Sequence, residues 1–547
     1  MQNDTLEIGA KRMAAVRAAM CSQDKKMFYC GLMYLSFAAS LEVNLNNTLL
    51  QVALGELSGS SLSSVLSVTV GVLSIGSIPI YSQSADYFGR PGLVMVALAI
   101  YLAGIGIQIS AQSFEWFALG WVVSNLGLLG YNIQKAILMA DLTSLKTRAI
   151  LVSCETIPST LNQWVSAFVA KPIADNLGWR VGFAIPTVFL VPAALNLVIF
   201  LYRIQAKGYR HYPQLLSHSE GTHIWTRVKQ LSKSVDGVGQ GLLLVGLLSV
   251  MLGLVLLGSS EKEWAAWYIP VLIFAGVVLL VGFFVWERRA SEWIVPRRFF
   301  QGTTLGAMAL ILALRVDSGL NWQYLTLNLM ISRRIDVTHV ALLEKGFQLA
   351  SLASCLASGF IMKRVNDYRP LLVVGAAINC IGIGLMIPAR LPTSSDAFVV
   401  FSQAVTGVGA GMIDVSLLIA YQGSVPRKDI AAITAAAQIV SSIGSSIGST
   451  IAGVVWTQLV PFLLSKYVPG EIDIKQAISN YKYVWGLPEH QFEPAAKAFG
   501  DAQMYITSLS CFMAGVAFFI SIFYMSSVDL SNIQKFDASI EHANHLD

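Results

Sequence analysis

Eight ionisable residues stand inside apolar stretches where few belong: Glu42, Lys135, Glu155, Arg315, Asp317 and Asp414, with Glu344 and Lys345 near the outer end of one stretch. The stretches run about twenty residues, the length that crosses ~30 Å of hydrocarbon as a helix. A charge at the centre of such a helix costs at least ~2.5 kcal/mol on insertion scales, so each needs a partner or a water path. Two readings are open. Glu42, Glu155 or Asp414 is a carboxylate that takes up and releases a proton, because desolvation disfavours the charged form. Alternatively the charges are structural pairs, Lys135 with Glu155 and Arg315 with Asp317, and the i, i+2 spacing of the second pair favours a local network. Glu42 leads the proton candidates. It lies mid-span in Ser40-Leu-Glu-Val-Asn-Leu-Asn-Asn47, among amides such as Asn46 that can line a cavity.

The elements that must position these groups are membrane helices. Of 547 residues, 55% are apolar and 13% charged, against about 25% charged in soluble domains, and the mean hydropathy is +0.61. That excludes disorder, collagen-like repeats and an ordinary cytosolic enzyme. A net charge of +5 without a dense basic tract leaves no footprint for nucleic acid. The expected fold is all-α and polytopic, with fourteen helices near 28–54, 62–82, 92–111, 115–139, 149–170, 181–202, 240–259, 267–286, 303–330, 340–362, 371–389, 398–421, 430–458 and 503–525. An even number places both termini on one side. With the N-terminus in the cytosol, 24 of the 37 basic residues fall on that side and 10 outside, which favours this orientation. The first 26 residues lack the apolar core of a cleaved signal peptide, so the first helix is expected to be the insertion signal.

Two connections are long: 203–238, polar and basic, and 465–502, which holds Tyr481, Tyr483 and Trp485. The six cysteines form no CxxC pair, and the seven histidines lie outside helix centres without ligand spacing. Neither a metal site nor a cofactor is expected. Gly444, Gly448 and Gly453, like Gly127 and Gly130, give small faces on which helices pack.

The segment Ser82-Gln-Ser-Ala-Asp-Tyr-Phe-Gly-Arg-Pro91, after the second span, resembles the GxxxDxxGR signature of the major facilitator superfamily, with Ser82 in place of the opening Gly. The resemblance makes Asp86, Gly89 and Arg90 a gating motif between two six-helix halves. No GxxxxGK[ST] loop for ATP is present. Helix five reads Glu155-Thr-Ile-Pro-Ser-Thr-Leu-Asn162-Gln-Trp164 and lacks the antiporter GPxxGG run. Helix four lacks the Arg frequent in drug/proton antiporters.

Further segments resemble the fungal siderophore-iron transporters. They are Ala140–Arg148, Gly178-Trp-Arg-Val-Gly-Phe183, the glycine run Ser442–Trp456, and Ala498-Phe-Gly-Asp-Ala-Gln503 closing the long loop. The similarity spans about residues 28–530. That family imports ferric hydroxamate and catecholate chelates, with some members assigned to haem and glutathione.

The resemblance implies a tail (1–27), a first half (28–202), a cytosolic linker (203–238) and two additional helices (239–287). A second half (303–525) with an outer loop (465–502) and a second tail (526–547) follow. It implies a secondary transporter rather than an enzyme, importing a ferric siderophore by proton symport. Iron stays with the chelator, the chain acts as a monomer in the lipid bilayer, and the plasma membrane is expected ahead of an endosomal or vacuolar one. The alternative is a proton-coupled exporter or exchanger of glutathione or drugs. Candidates on the substrate and proton pathway are Glu42, Asn46, Lys135, Glu155, Asn162, Trp322 and Asp414. Tyr481, Tyr483 and Trp485 either cover the substrate or sit in the headgroup belt.

Overall fold

The computed structural model describes residues 20–57, 59–142, 145–211, 236–259, 267–289, 301–365, 367–425 and 430–526. The first half comprises α1 (Ser22–Glu56), α2 (Ser63–Phe88), α3 (Arg90–Ser110), α4 (Phe114–Leu142), α5 (Leu145–Asn176) and the broken segment α6 (Trp179–Ala184) with α7 (Thr187–His211). A hairpin follows, α8 (Gly237–Ser259) and α9 (Tyr268–Arg289). The second half begins with two broken segments, α10 (Gly302–Trp322) with α11 (Leu325–Arg333) and α12 (Val337–Leu343) with α13 (Lys345–Val365). It continues through α14 (Arg369–Ala389), α15 (Asp396–Gly423) and α16 (Ile430–Tyr467). Short helices α17 (Ile474–Ser479) and α18 (Tyr481–Trp485) then lead to α19 (Glu489–Phe523).

Eleven of these segments are long and apolar enough to cross a membrane. Helices α1, α4 and α5, which carry Glu42, Lys135 and Glu155, add three more of 35, 29 and 32 residues. The fourteen long segments are compatible with the number expected from hydropathy.

Gly89 shows why the chain turns sharply between α2 and α3. Its φ of +84° ends α2 and starts α3 within one residue, a conformation open to glycine, and Pro91 then suits the first turn of α3. The last helix departs from expectation. It begins at Glu489 rather than near 503, so much of the expected outer loop is the N-terminal part of α19. That stretch is too charged to read as a span, yet Phe492, Ala495, Ala498 and Phe499 repeat at helical spacing and pack on the second-half core.

Each half has its own apolar core, one built from α1, α3, α4 and α7, the other from α10, α14, α15, α16 and α19. The halves meet along α2 and α16, where Ile75 and Ile78 pack with Ile439, and α8 covers that seam with Leu244, Leu247 and Met251.

Hydrogen bonds and ion pairs joining the halves among the described residues gather at one end. Lys171 of α5 meets Asp336 before α12 at 2.7 Å, and Tyr324 donates to Ser64 at 3.0 Å. Gln323 reaches Ser63 at 3.4 Å, and Lys482 approaches Glu56 at 3.8 Å. The start of α1 and the close of α19 lie at the opposite end, where Lys207 binds Asp24 at 2.6 Å and Arg369 donates to the Ile522 carbonyl at 2.8 Å. The molecule is thus latched across the seam at the end far from its termini.

Candidate functional site: a polar cavity between the two halves

Glu42 sits halfway along α1 and is only 3% exposed. Its two carboxylate oxygens are taken by different donors: Asn46 Nδ2, one turn further along α1, and the Tyr101 hydroxyl from α3. The small cavity beside it, about 60 Å³, is also lined by Asn47, Gln108, Trp121, Ser124 and Asn125, with no Lys or Arg among the described residues that line it. Gln108 fixes α3 to α4 through the Ser124 hydroxyl (2.6 Å) and the Gly120 carbonyl (3.1 Å). A buried carboxylate balanced by an amide and a phenol, without a cation, can hold a proton in place of a counter-charge.

Two larger spaces adjoin this one. The first, about 330 Å³, lies between the halves beneath the latched end and is lined by Asn47, Gln51, Trp121, Ser318, Trp322 and Ser445, among others. The second, about 320 Å³, is formed by the second half and holds Arg315, Asp317, Trp322, Asn379, Asp414 and Tyr421. The spaces share walls in series: Asn47 and Trp121 border both the small cavity and the first larger space, and Ser318 and Trp322 border both larger spaces. Trp121 and Trp322, one from each half, thus stand on the walls of the central space, and Trp322 rests on Phe347 at 4.7 Å between ring centroids. Asn46 Oδ1 and Gln51 Oε1 are buried without a hydrogen-bond partner among the described residues. Flat aromatic walls and free amide faces suit a bulky polar solute recognised by shape and hydrogen bonds.

The other sequence-derived candidates divide. Asp414 and Arg315 face the second-half cavity. The expected Arg315–Asp317 network is not what the fold builds. Two positions apart, these side chains leave α10 in different directions: Arg315 is exposed to the cavity, whereas Asp317 is 5% exposed and accepts from Ser510 of α19. Lys135 lies 5.5 Å from the centre of the Tyr131 ring. The side chains of Glu155 and Asp86 lie outside the described residues, so the Lys135–Glu155 pair does too.

Asn162 is not among the residues named on these cavity walls; it fastens α5 to α1 through the Phe37 carbonyl (2.8 Å) and Ser40 Oγ (2.6 Å). The loop aromatics are committed to packing. Tyr481 is buried against Trp485 and Gly55, Tyr483 accepts from the Asp473 amide, and Trp485 donates to the Met330 carbonyl. Burial pushes the Tyr481 phenol up to about 12, with Glu56 and Asp175 adding to it. Arg390, counted as an outer-loop charge, instead turns inward and binds Asn321 Oδ1 (2.6 Å) and Thr507 (3.2 Å). Sequence reasoning missed Tyr101 and Trp121, since neither residue carries a charge or belongs to a motif.

Two helical halves around a polar central cavity, latched at one end, define a membrane carrier of the kind that exposes its site to either side in turn. Residues 225–449 match the sequence profile of the Major Facilitator Superfamily. The chain is 25% identical to the "Siderophore iron transporter mirC" of Emericella nidulans, over 86% of this chain and 78% of that protein. It is 24% identical to "Siderophore iron transporter 1" of Schizosaccharomyces pombe, over 92% and 82%. Among solved structures, a bacterial homologue of the human lysosomal transporter Spinster, in an inward-facing and unoccupied conformation, aligns over 92% of this chain and 98% of its own. Its TM-score is 0.59 and its identity 14%.

Proposed function

We propose that this protein imports a ferric siderophore across a fungal membrane by proton symport, with iron held entirely by the chelator. Likeness to siderophore iron transporters over most of the chain carries the reading. The cavity supports it: Trp121 and Trp322 offer flat faces, Asn46, Asn47 and Gln51 offer amides, and Glu42 offers a carboxyl that can be charged or neutral.

In this reading the termini, the Asp86–Arg90 turn and the 203–238 linker face the cytosol. The latched end is then the outer one, and the structure corresponds to the inward-facing state. A proton taken up by Glu42 from outside removes a buried charge, and the halves rock about the α2–α16 seam. Release to the cytosol restores the carboxylate. The protein acts as a monomer in the plasma membrane.

The test is growth and ⁵⁵Fe uptake in a siderophore-uptake-deficient fungus expressing this chain, supplied with single ferric trihydroxamates or catecholates. Uptake of at least one chelate that collapses with a protonophore is expected. Absence of uptake for the whole panel, with thiol or drug sensitivity on deleting the gene, would replace import with export.

A further inference from the structure

The two halves repeat a set of side-chain contacts in matching order. In the first half, a Cβ added to Gly104 would lie 2.2 Å from the Ser124 amide nitrogen, and one added to Gly127 would lie 2.3 Å from that of Tyr101. In the second half the corresponding distances are 2.5 Å from Gly382 to the Thr406 nitrogen and 2.4 Å from Gly409 to the Asn379 nitrogen. The spacings agree residue for residue: Tyr101, Gly104 and Gln108 against Asn379, Gly382 and Met386; Ser124 and Gly127 against Thr406 and Gly409. Even the cross-helix contact recurs, Gln108 on Ser124 at 2.6 Å and Thr406 on Met386 at 3.4 Å. Helices α3 and α4 are therefore matched by α14 and α15.

The match extends to the charged centre. On α1, Gly31 approaches α7 at Asn196, and Glu42 and Asn46 follow it. On α10, Gly306 approaches the end of α19 at Tyr524, and Asp317 and Asn321 follow it at the same intervals. Glu42 bonds to Tyr101, and Asp317 to Asn379, the residue matched to Tyr101, and to Ser510.

We propose that Asp317 is a second proton-binding carboxyl, the counterpart in the second half of Glu42 in the first. The inference rests on the proton-coupled reading above. Like Glu42, Asp317 is buried, bordered by a polar cavity, and held by neutral donors. The ionisable groups around it are Arg315 on its own helix, Asp414 on α15, Cys380 on α14 and Cys511 on α19. Arg390 of α14 stands one turn away on Asn321. Among the described residues, those around Glu42 are Tyr101 and, beyond it, Tyr131 with Lys135 over its ring. Arg315 shares its cavity with Asp414, so the one cation among the described residues lining that space is balanced without Asp317. Each half then carries its own carboxyl that exchanges a proton with water, carboxylate to acid and back, with no other bond made or broken.

The test is an infrared pH titration of the purified full-length protein in lipid nanodiscs, following the C=O band of protonated carboxyl groups. Glu42→Gln should remove one titrating component, Asp317→Asn a different one, and the double variant both. Asp317→Glu should restore the second at a shifted frequency. A spectrum unchanged by Asp317→Asn overturns the proposal. Should that variant fail to fold, an unshifted spectrum in Asp317→Glu overturns it equally. Both components present alongside uptake of a ferric trihydroxamate that ignores a protonophore would uphold the second site while removing the symport reading.

Discussion

Cutting the latch at the far end separates two effects that share one carboxylate. Asp336 bonds to Lys171 across the halves at 2.7 Å, and its other oxygen caps α12 by accepting from the His339 amide at 2.9 Å. The ion pair exists only while this end is closed; the cap persists in any arrangement of the halves. With side chains 46% and 38% exposed, the pair is screened by water and contributes little, whereas an N-cap contributes about 1 kcal/mol. Lys171→Ala and Asp336→Ala should therefore shift the closed-to-open balance by the same small factor. Only Asp336→Ala should also lower the melting temperature.

The assay is the rate at which an impermeant maleimide, added outside, labels Ser67→Cys in the central cavity, in a background without native cysteines. Equal acceleration in both variants, reversed by the swap Lys171→Asp with Asp336→Lys, is expected. Unequal acceleration, or none, would refute the separation of latch from cap. Acidity should not open this latch. Burial pushes the Asp336 carboxyl up, but Lys171 and the His339 amide outweigh it and hold it below the usual range. The pair's contribution is complete above the ordinary value of ~3.9 and lost only as pH falls through the lower folded value. The ratio of labelling rates between each latch variant and its parent should thus be the same at pH ~7 and ~5, the fall in thiolate fraction being common to both.

Three further outcomes follow. A Cβ on Gly448 would lie 2.3 Å from the Val316 carbonyl, a backbone atom that cannot swing aside. Gly448→Ala should destabilise by about 1–3 kcal/mol, while Gly515→Ala, with nothing within 4 Å, should be neutral in the same thermal melt. Trp322→Ala removes a cavity wall and its Phe347 contact. Loss of ~1.5 kcal/mol of apolar cover should raise the KM for chelate uptake about tenfold with little change in maximal rate; an unchanged KM would remove Trp322 from the site. Glu42→Gln keeps the Asn46 and Tyr101 neighbours but not the charge. Uptake driven by an imposed proton gradient should be lost while gradient-free exchange of bound chelate persists.

Sequence alone determined the solvent and the class of fold. Apolar stretches of membrane length, the asymmetry of basic residues and the turn at Gly89 are local properties, and a bilayer constrains the backbone so strongly that helices are nearly the only outcome. Glu42 was legible for the same reason: a charge mid-span stands out against its neighbours. The tertiary structure alone decided what each polar residue touches. Asn162 and Asn46 are the same side chain on helices of similar apolarity, yet one ties α5 to α1 and the other turns to the cavity. Arg390 looked like a loop charge until packing turned it inward. The Asp317–Asn321 spacing that echoes Glu42–Asn46 was present in the chain throughout. It acquired meaning only when the fold set α10 against α14 and α19 as α1 is set against α3 and α7. Hydropathy reports how a residue meets lipid, whereas partners are set by helix rotation and crossing, which no single segment encodes.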